Sequence, residues 1–342
     1  MPPAKRSSKP APKVLTGIAP TAWEHPADRA ALNTLRAIPG FDELVRKVIG
    51  ALGERGVRHL FTANAVKVGP RQRPNLDALL TEVLETMDWS ERPEMFVSQT
   101  PVANAMAVGF DKPFIVLNSG ALEILDTDER RVLIGHELGH VMSGHATYTT
   151  IALLILRAGF LTIPGLGLIA LPVQLALLEW YRKAELSADR AGLLSTQDPE
   201  ASMRLFLRLA GGRATADDDT SLEEFLEQAR GYETGGTVID TALKFLNVAF
   251  QTHPFATVRA AELQRWTESG AYGRILGGEY VRRGAAEQRP LTEDYADAAR
   301  HYRDETRGAV EQVAEALRNV GELFAGAFRG AGGTPPEPPP AK

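Results

Sequence analysis

Five consecutive residues, His136-Glu137-Leu138-Gly139-His140, constrain this chain more than any other feature. Two histidines four apart lie about a turn from each other on one face of an α-helix, where both imidazoles can converge on one ion. Glu137 is offset from the first histidine by about 100° on a helix of 3.6 residues per turn, which suits it to hold a metal-activated water rather than the metal. In that position it can take a proton during attack on a peptide carbonyl and pass it to the leaving amine. Asp126 followed by Glu129 resembles a helix start, and Val132, Leu133, Glu137 and His140 continue the register through about His145. The 342 residues include no cysteine, so a transition metal must be held by histidine and carboxylate.

Two histidines do not complete a site, and the third ligand has two candidates. His145 is the nearer, but the HExxHxxGxxH pattern needs glycine at 143 and histidine at 146, where this chain has Ser143 and Ala146. On a continuous helix His145 also sits about 140° around from His140, so it reads as a surface histidine or one that supports a ligand. Glu185 and Asp189 fit better. Four apart on one helix face, they allow Glu185 to bind the ion and Asp189 to orient a ligating histidine through its ring N–H. Taken alone, such an acidic pair is an ordinary solvated helix face.

Taken in order, Asn104-Ala105, a strand ending near Asn118-Ser119-Gly120, the HELGH segment, AELSAD at 184–189, and His253-Pro254 with Arg259 resemble the HtpX and CAAX-prenyl-endopeptidase type of gluzincin metallopeptidase. The resemblance covers roughly residues 70–265. It implies an α+β, mostly helical, zincin-like domain with a small sheet packed beside the HExxH helix. It implies one Zn2+ ion on His136, His140 and Glu185, with Glu137 as catalytic base and Asp189 supporting a ligand. His253 and Arg259 are then expected near the active site, stabilising an oxyanion or positioning substrate. Asn104 and Ala105 would open an edge strand, 104–108, that pairs with an extended peptide. The implied activity is that of a zinc endopeptidase on protein or peptide substrates, with protein quality control as one setting.

The rest of the chain is organised around that segment. A basic, disordered tail is expected at 1–16, the peptidase domain at 17–285, an amphipathic helical extension at 286–328, and a disordered Pro-rich tail at 329–342. Helical spacing runs from about 28 to 87, three short strands fall between 94 and 118, and a helix is expected from Leu178 to about Thr196. Further helices fit 222–230, 238–250, 258–269 and 292–328; the last can pack on the domain or recruit a partner protein. The insert at 151–178 is apolar enough to raise a membrane crossing. One crossing would leave His140 and Glu185 on opposite sides, and two would have about 14 residues each, below the usual minimum of about 17. A hairpin turning at Pro164-Gly165, packed on the domain or touching a membrane peripherally, satisfies both constraints.

A formal net charge of −5 with scattered Lys and Arg argues against nucleic acid as a partner. The start lacks an apolar stretch, which points to a cytoplasmic protein, with membrane association through the insert. Two rival classes fit part of the sequence: a catalytically silent zinc-bound interaction module, and a membrane-surface scaffold in which the HExxH helix is incidental.

Overall fold

The computed structural model describes residues 11–38, 41–158, 167–213, 219–234 and 255–284. The chain opens with α1 (Pro26–Arg36) and α2 (Phe41–Thr62), then β1 (Ala65–Lys67), α3 (Pro74–Thr86), β2 (Glu94–Ser98), β3 (Ala105–Val108) and β4 (Phe114–Asn118). It continues through α4 (Ser119–Ile124), α5 (Thr127–Met142), α6 (Ala146–Ala158), α7 (Gly167–Thr196), α8 (Pro199–Ala210) and α9 (Leu222–Thr234). The last described helices are α10 (Ala256–Glu268) and α11 (Ala271–Leu276). Where helical spacing suggested an uninterrupted lead-in, β1 intervenes between α2 and α3. The expected helices at 238–250 and 292–328, the insert's turn at Pro164-Gly165 and the tails at 1–10 and 329–342 lie outside the described residues.

The sheet is mixed, in the order β1-β2-β4-β3, with β2 parallel to β4 and the other pairs antiparallel. Every residue of β4 is buried, as a strand covered on both faces requires. Ile115 and Leu117 join Met95, Val97 and Ala105 in the core under α3 and α5. Phe114 and Val116 join Phe96, Val108 and the α2 residues Val57 and Phe61 on the other side. One sheet face is thus fixed against the HExxH helix, and β3 is left as an edge strand beside it.

α5 begins where its sequence says it should. Asp126 caps the Glu129 backbone N–H, and the Glu129 carboxylate returns to the Asp126 N–H, so two of the helix's orphan donors are satisfied. Its end differs from the expected run to His145. Gly144 adopts φ +70°, its N–H bonds the Val141 carbonyl, and the His145 N–H bonds the His140 carbonyl at 2.9 Å. This is the Schellman pattern, which needs a residue without Cβ strain at the turn and folds the next residue back over the last helical turn.

α7 packs along α5 at close range. A Cβ at Gly135 would lie 1.8 Å from Ser195 Oγ, and one at Gly139 would lie 2.5 Å from Ala191 Cβ. Contact this close brings the Glu185 and Asp189 side chains to the histidines. Gly139→Ala gains about 1 kcal/mol of helix propensity. It loses about 1–3 kcal/mol to overpacking, because a Cβ cannot rotate away. The loss wins, and thermal unfolding should show a Tm lower by a few degrees. A Tm at or above that of the parent would mean that the helices separate without cost.

The N-terminal residues are built into this core. Leu15 is buried and its N–H bonds the Thr86 carbonyl, while Lys13 N–H bonds Gln197 Oε1. Lys13 and Leu15, within the stretch expected as a tail at 1–16, thus contact the end of α3 and the residue that follows α7. Both described ends of the apolar insert pack on the domain: Ile151, Ala152 and Leu177 share a cluster with Trp180, Tyr181 and the α1 residues Ala30, Ala31 and Leu35. Among the described residues, no helix is long and apolar enough to cross a membrane.

Candidate metal centre

His136 and His140 face α7 from the middle and last turn of α5, and Glu185 meets them from α7. The two Nε2 atoms are 3.2 Å apart. Glu185 Oε2 lies 3.5 Å from His136 Nε2, and Oε1 lies 3.3 Å from His140 Nε2. All three residues are buried. Bonds of about 2.0–2.1 Å at tetrahedral angles separate neighbouring donors by about 3.3 Å, so this triangle has the dimensions of one zinc-sized ion.

Lone-pair bookkeeping tests the fit. The other nitrogen of His136, Nδ1, is 2.9 Å from Asp189 Oδ1, and that of His140 is 3.1 Å from His145 Nδ1. With hydrogens on both Nδ1 atoms, both Nε2 lone pairs converge on each other and on a carboxylate. Only a cation or a proton relieves that repulsion. Burial opposes charge on His136, yet the Glu185 and Asp189 carboxylates outweigh it and hold that ring's pKa at about 10; burial pushes His140 down to about 4, against the pull of Glu185. The negative field that holds a proton there also favours a divalent ion, and the donor set fits one.

Glu137 lies beside the triangle. Its Oε2 is buried with no hydrogen-bond partner among the described residues, and its carboxylate accepts a bond from the Ala107 backbone N–H. Burial raises its pKa to about 7; the Glu185 charge adds to that rise, while His136 and Arg259 oppose it. Such a carboxyl is poised to exchange protons near neutrality.

Asp189 is gripped by Arg259 on α10, with Nε donating to Oδ2 at 2.9 Å and Nη2 to Oδ1 at 2.6 Å. The same guanidinium reaches Glu185 Oε2 at 3.4 Å. The guanidinium is thus directed at Asp189, behind His136, and at Glu185, one of the three candidate donors. His253 lies outside the described residues.

At the sheet edge, the Asn118 N–H bonds the Asn104 carbonyl at 3.0 Å. Alternation along an antiparallel ladder then directs the backbone groups of Ala105 and Ala107 away from β4, the side on which Ala107 meets Glu137.

His145 needs correction. It is only 3% exposed, so the surface alternative is overturned; the turn at Gly144 returns it to His140 instead of carrying it around the helix. Sequence reasoning also missed Asp28, whose Oδ2 lies 3.1 Å from His145 Nε2, and Tyr181, whose ring stacks on His140 with centroids 6.4 Å apart. The glycine before His145 was a usable signal for the turn; nothing local in the sequence ties Asp28 to this site.

Comparison with known proteins agrees with this geometry. A family model described as peptidase family M48 matches residues 70–267. The chain is 34% identical over 258 residues to the plastoglobule-localized metallopeptidase 48, chloroplastic, of Arabidopsis thaliana, covering 74% of each chain. It is 24% identical over 234 residues to a protease HtpX homolog of Moorella thermoacetica, covering 60% of this chain and 76% of that one. Protease HtpX of Acinetobacter baylyi is 25% identical over 207 residues, covering 51% and 66% respectively. No solved structure matches the chain.

Proposed function

The chain belongs to peptidase family M48, and on that premise we propose that His136, His140 and Glu185 hold a single zinc ion while Glu137 serves as general base. The protein is a metal-dependent peptidase acting on proteins or peptides. The observation that carries the residue assignment is the buried triangle of donors 3.2–3.5 Å apart with the Glu137 Oε2 beside it, which has no hydrogen-bond partner among the described residues. When bound, the ion supplies Lewis acidity to the scissile carbonyl and acidifies the attacking water. Glu137 accepts the proton of that water and returns it to the leaving amine. Asp189 fixes the ring of His136, and Arg259 holds Asp189 and Glu185 in place.

An extended peptide is proposed to lie along β3, pairing with the outward backbone groups at Ala105, with Asn104 closing the strand against β4. His253 enters the proposal only through its position in the family's order of motifs. A peripheral membrane contact through 151–178 is supported by the apolar sequence of the insert and, by likeness, by the plastoglobule location in the Arabidopsis relative's name.

The test is metal content and casein cleavage on the purified full chain. One zinc per chain is expected, with cleavage abolished by a chelator and restored by zinc. Cleavage that persists after the metal has been stripped would rule the proposal out. Bound zinc with no cleavage, even after limited proteolysis or addition of lipid, would favour a silent zinc-bound module.

A further inference from the structure

We propose that Asp28, on α1 and outside the matched residues 70–267, is a positioning residue for the metal ligand His140, acting through His145. The inference rests on His140 being a ligand. His140 Nε2 faces His136 and Glu185, while its Nδ1 is 3.1 Å from His145 Nδ1. On the far side of His145, Nε2 is 3.1 Å from Asp28 Oδ2. A carboxylate only accepts, so in the neutral form that ligation by His140 requires, the hydrogen of His145 sits on Nε2 against Asp28 and its Nδ1 offers a lone pair. That lone pair accepts the Nδ1–H of His140, which leaves the Nε2 lone pair of His140 directed at the metal donors. One carboxylate, acting through a ring, thus selects the ligating tautomer.

Asp28 is itself held rigidly. It is 2% exposed, its Oδ1 accepts Trp180 Nε1–H at 3.1 Å, and its Oδ2 accepts Ser187 Oγ–H at 2.6 Å. Ser187 in turn accepts the His25 backbone N–H at 2.9 Å. Trp180 and Ser187 are on α7, the helix that carries Glu185, so α1 is referenced to the same element as the third ligand. The two ligating rings are set by different parts of the chain. His136 is set by Asp189 with Arg259, inside the matched region; His140 is set from α1, before it. The metal centre therefore extends beyond the boundaries of the family match.

A plain structural role for the same contacts would be to tie α1 to α6 and α7, and the two are separated by metal affinity. Zinc affinity of the full chain is measured by competition with a chromophoric chelator, alongside the visible spectrum of the cobalt form. Asp28→Ala and His145→Leu should each lose about 10–100-fold in affinity and alter the cobalt bands. His145→Gln, whose amide oxygen can still accept the His140 Nδ1–H, should recover to within a few-fold. Leu35→Ala loosens the packing of α1 in the cluster with Trp180 without touching the relay, and should keep its zinc affinity while its Tm falls. Asp28→Ala binding zinc as tightly as the parent would overturn the proposal. So would equal losses in Leu35→Ala, or His145→Gln no better than His145→Leu. If the parent binds no stoichiometric metal, or His136→Ala binds it as tightly, the ligand assignment itself fails and this inference falls with it.

Discussion

Glu137→Gln should bind zinc like the parent and cleave casein about 10²–10⁴-fold more slowly. Glutamine keeps the shape of the side chain and an oxygen for the Ala107 N–H, but cannot take up a proton. The carboxyl it replaces is buried beside the donor triangle, and burial has already raised its pKa to about 7. A folded-state pKa above the unfolded value of about 4.3 means that the charged form costs the fold stability above that pH. In the metal-free protein at neutral pH, the amide should therefore leave Tm unchanged or raise it. The combination is diagnostic: activity collapses while zinc content and Tm do not. Cleavage that survives the substitution would remove Glu137 from the mechanism, and a collapse of zinc binding would make it a structural partner of the ligands.

The grouping of His136, His140 and Glu185 was legible because its spacing is helical and each half is local. His136, Glu137 and His140 follow from one helix turn, and Glu185 with Asp189 from another. The need for both halves to meet is what set the expectation that the apolar insert returns; its turn lies outside the described residues, and the described parts of α6 and α7 contact each other. Gly135 and Gly139 admit α7 to within contact of α5, which is how two separate motifs become one site.

What sequence reasoning lost was lost at turns and across long separations. Continuing α5 through His145 placed that ring on the wrong side, because one left-handed residue at Gly144 redirects everything after it. β1 was lost inside a helical lead-in because a strand of three residues has no period to read. Asp28 was invisible for a different reason. It reaches the site only because α1 lies along α7, and such packing is written in the apolar faces of both helices, not in the spacing around the aspartate. Arg259 was placed near the site by motif order, but its direction depended on where Asp189 would be.

Arg259→Met should destabilise the metal-free protein by about 3–5 kcal/mol, because it removes the guanidinium and leaves the two buried carboxylates of Asp189 and Glu185 to share the charge of His136. Burial alone would raise the pKa of Asp189; the Arg259 charge and bonds, with His136, outweigh burial and hold it below the usual value. A depressed carboxylate stabilises the fold above the unfolded pKa of about 3.9, and that stability is lost as pH falls through the folded value. In the variant burial prevails, the pKa rises, and the charged form becomes a penalty that disappears on acidification. The gap between parent and variant should therefore be widest near neutrality and narrow toward about pH 4, as measured by urea unfolding. Arg259→Met with Asp189→Asn should recover part of the loss, because one of the stranded charges is gone. If Arg259 served the oxyanion instead, its removal would lower kcat with little pH-dependent change in stability, and the second substitution would rescue nothing.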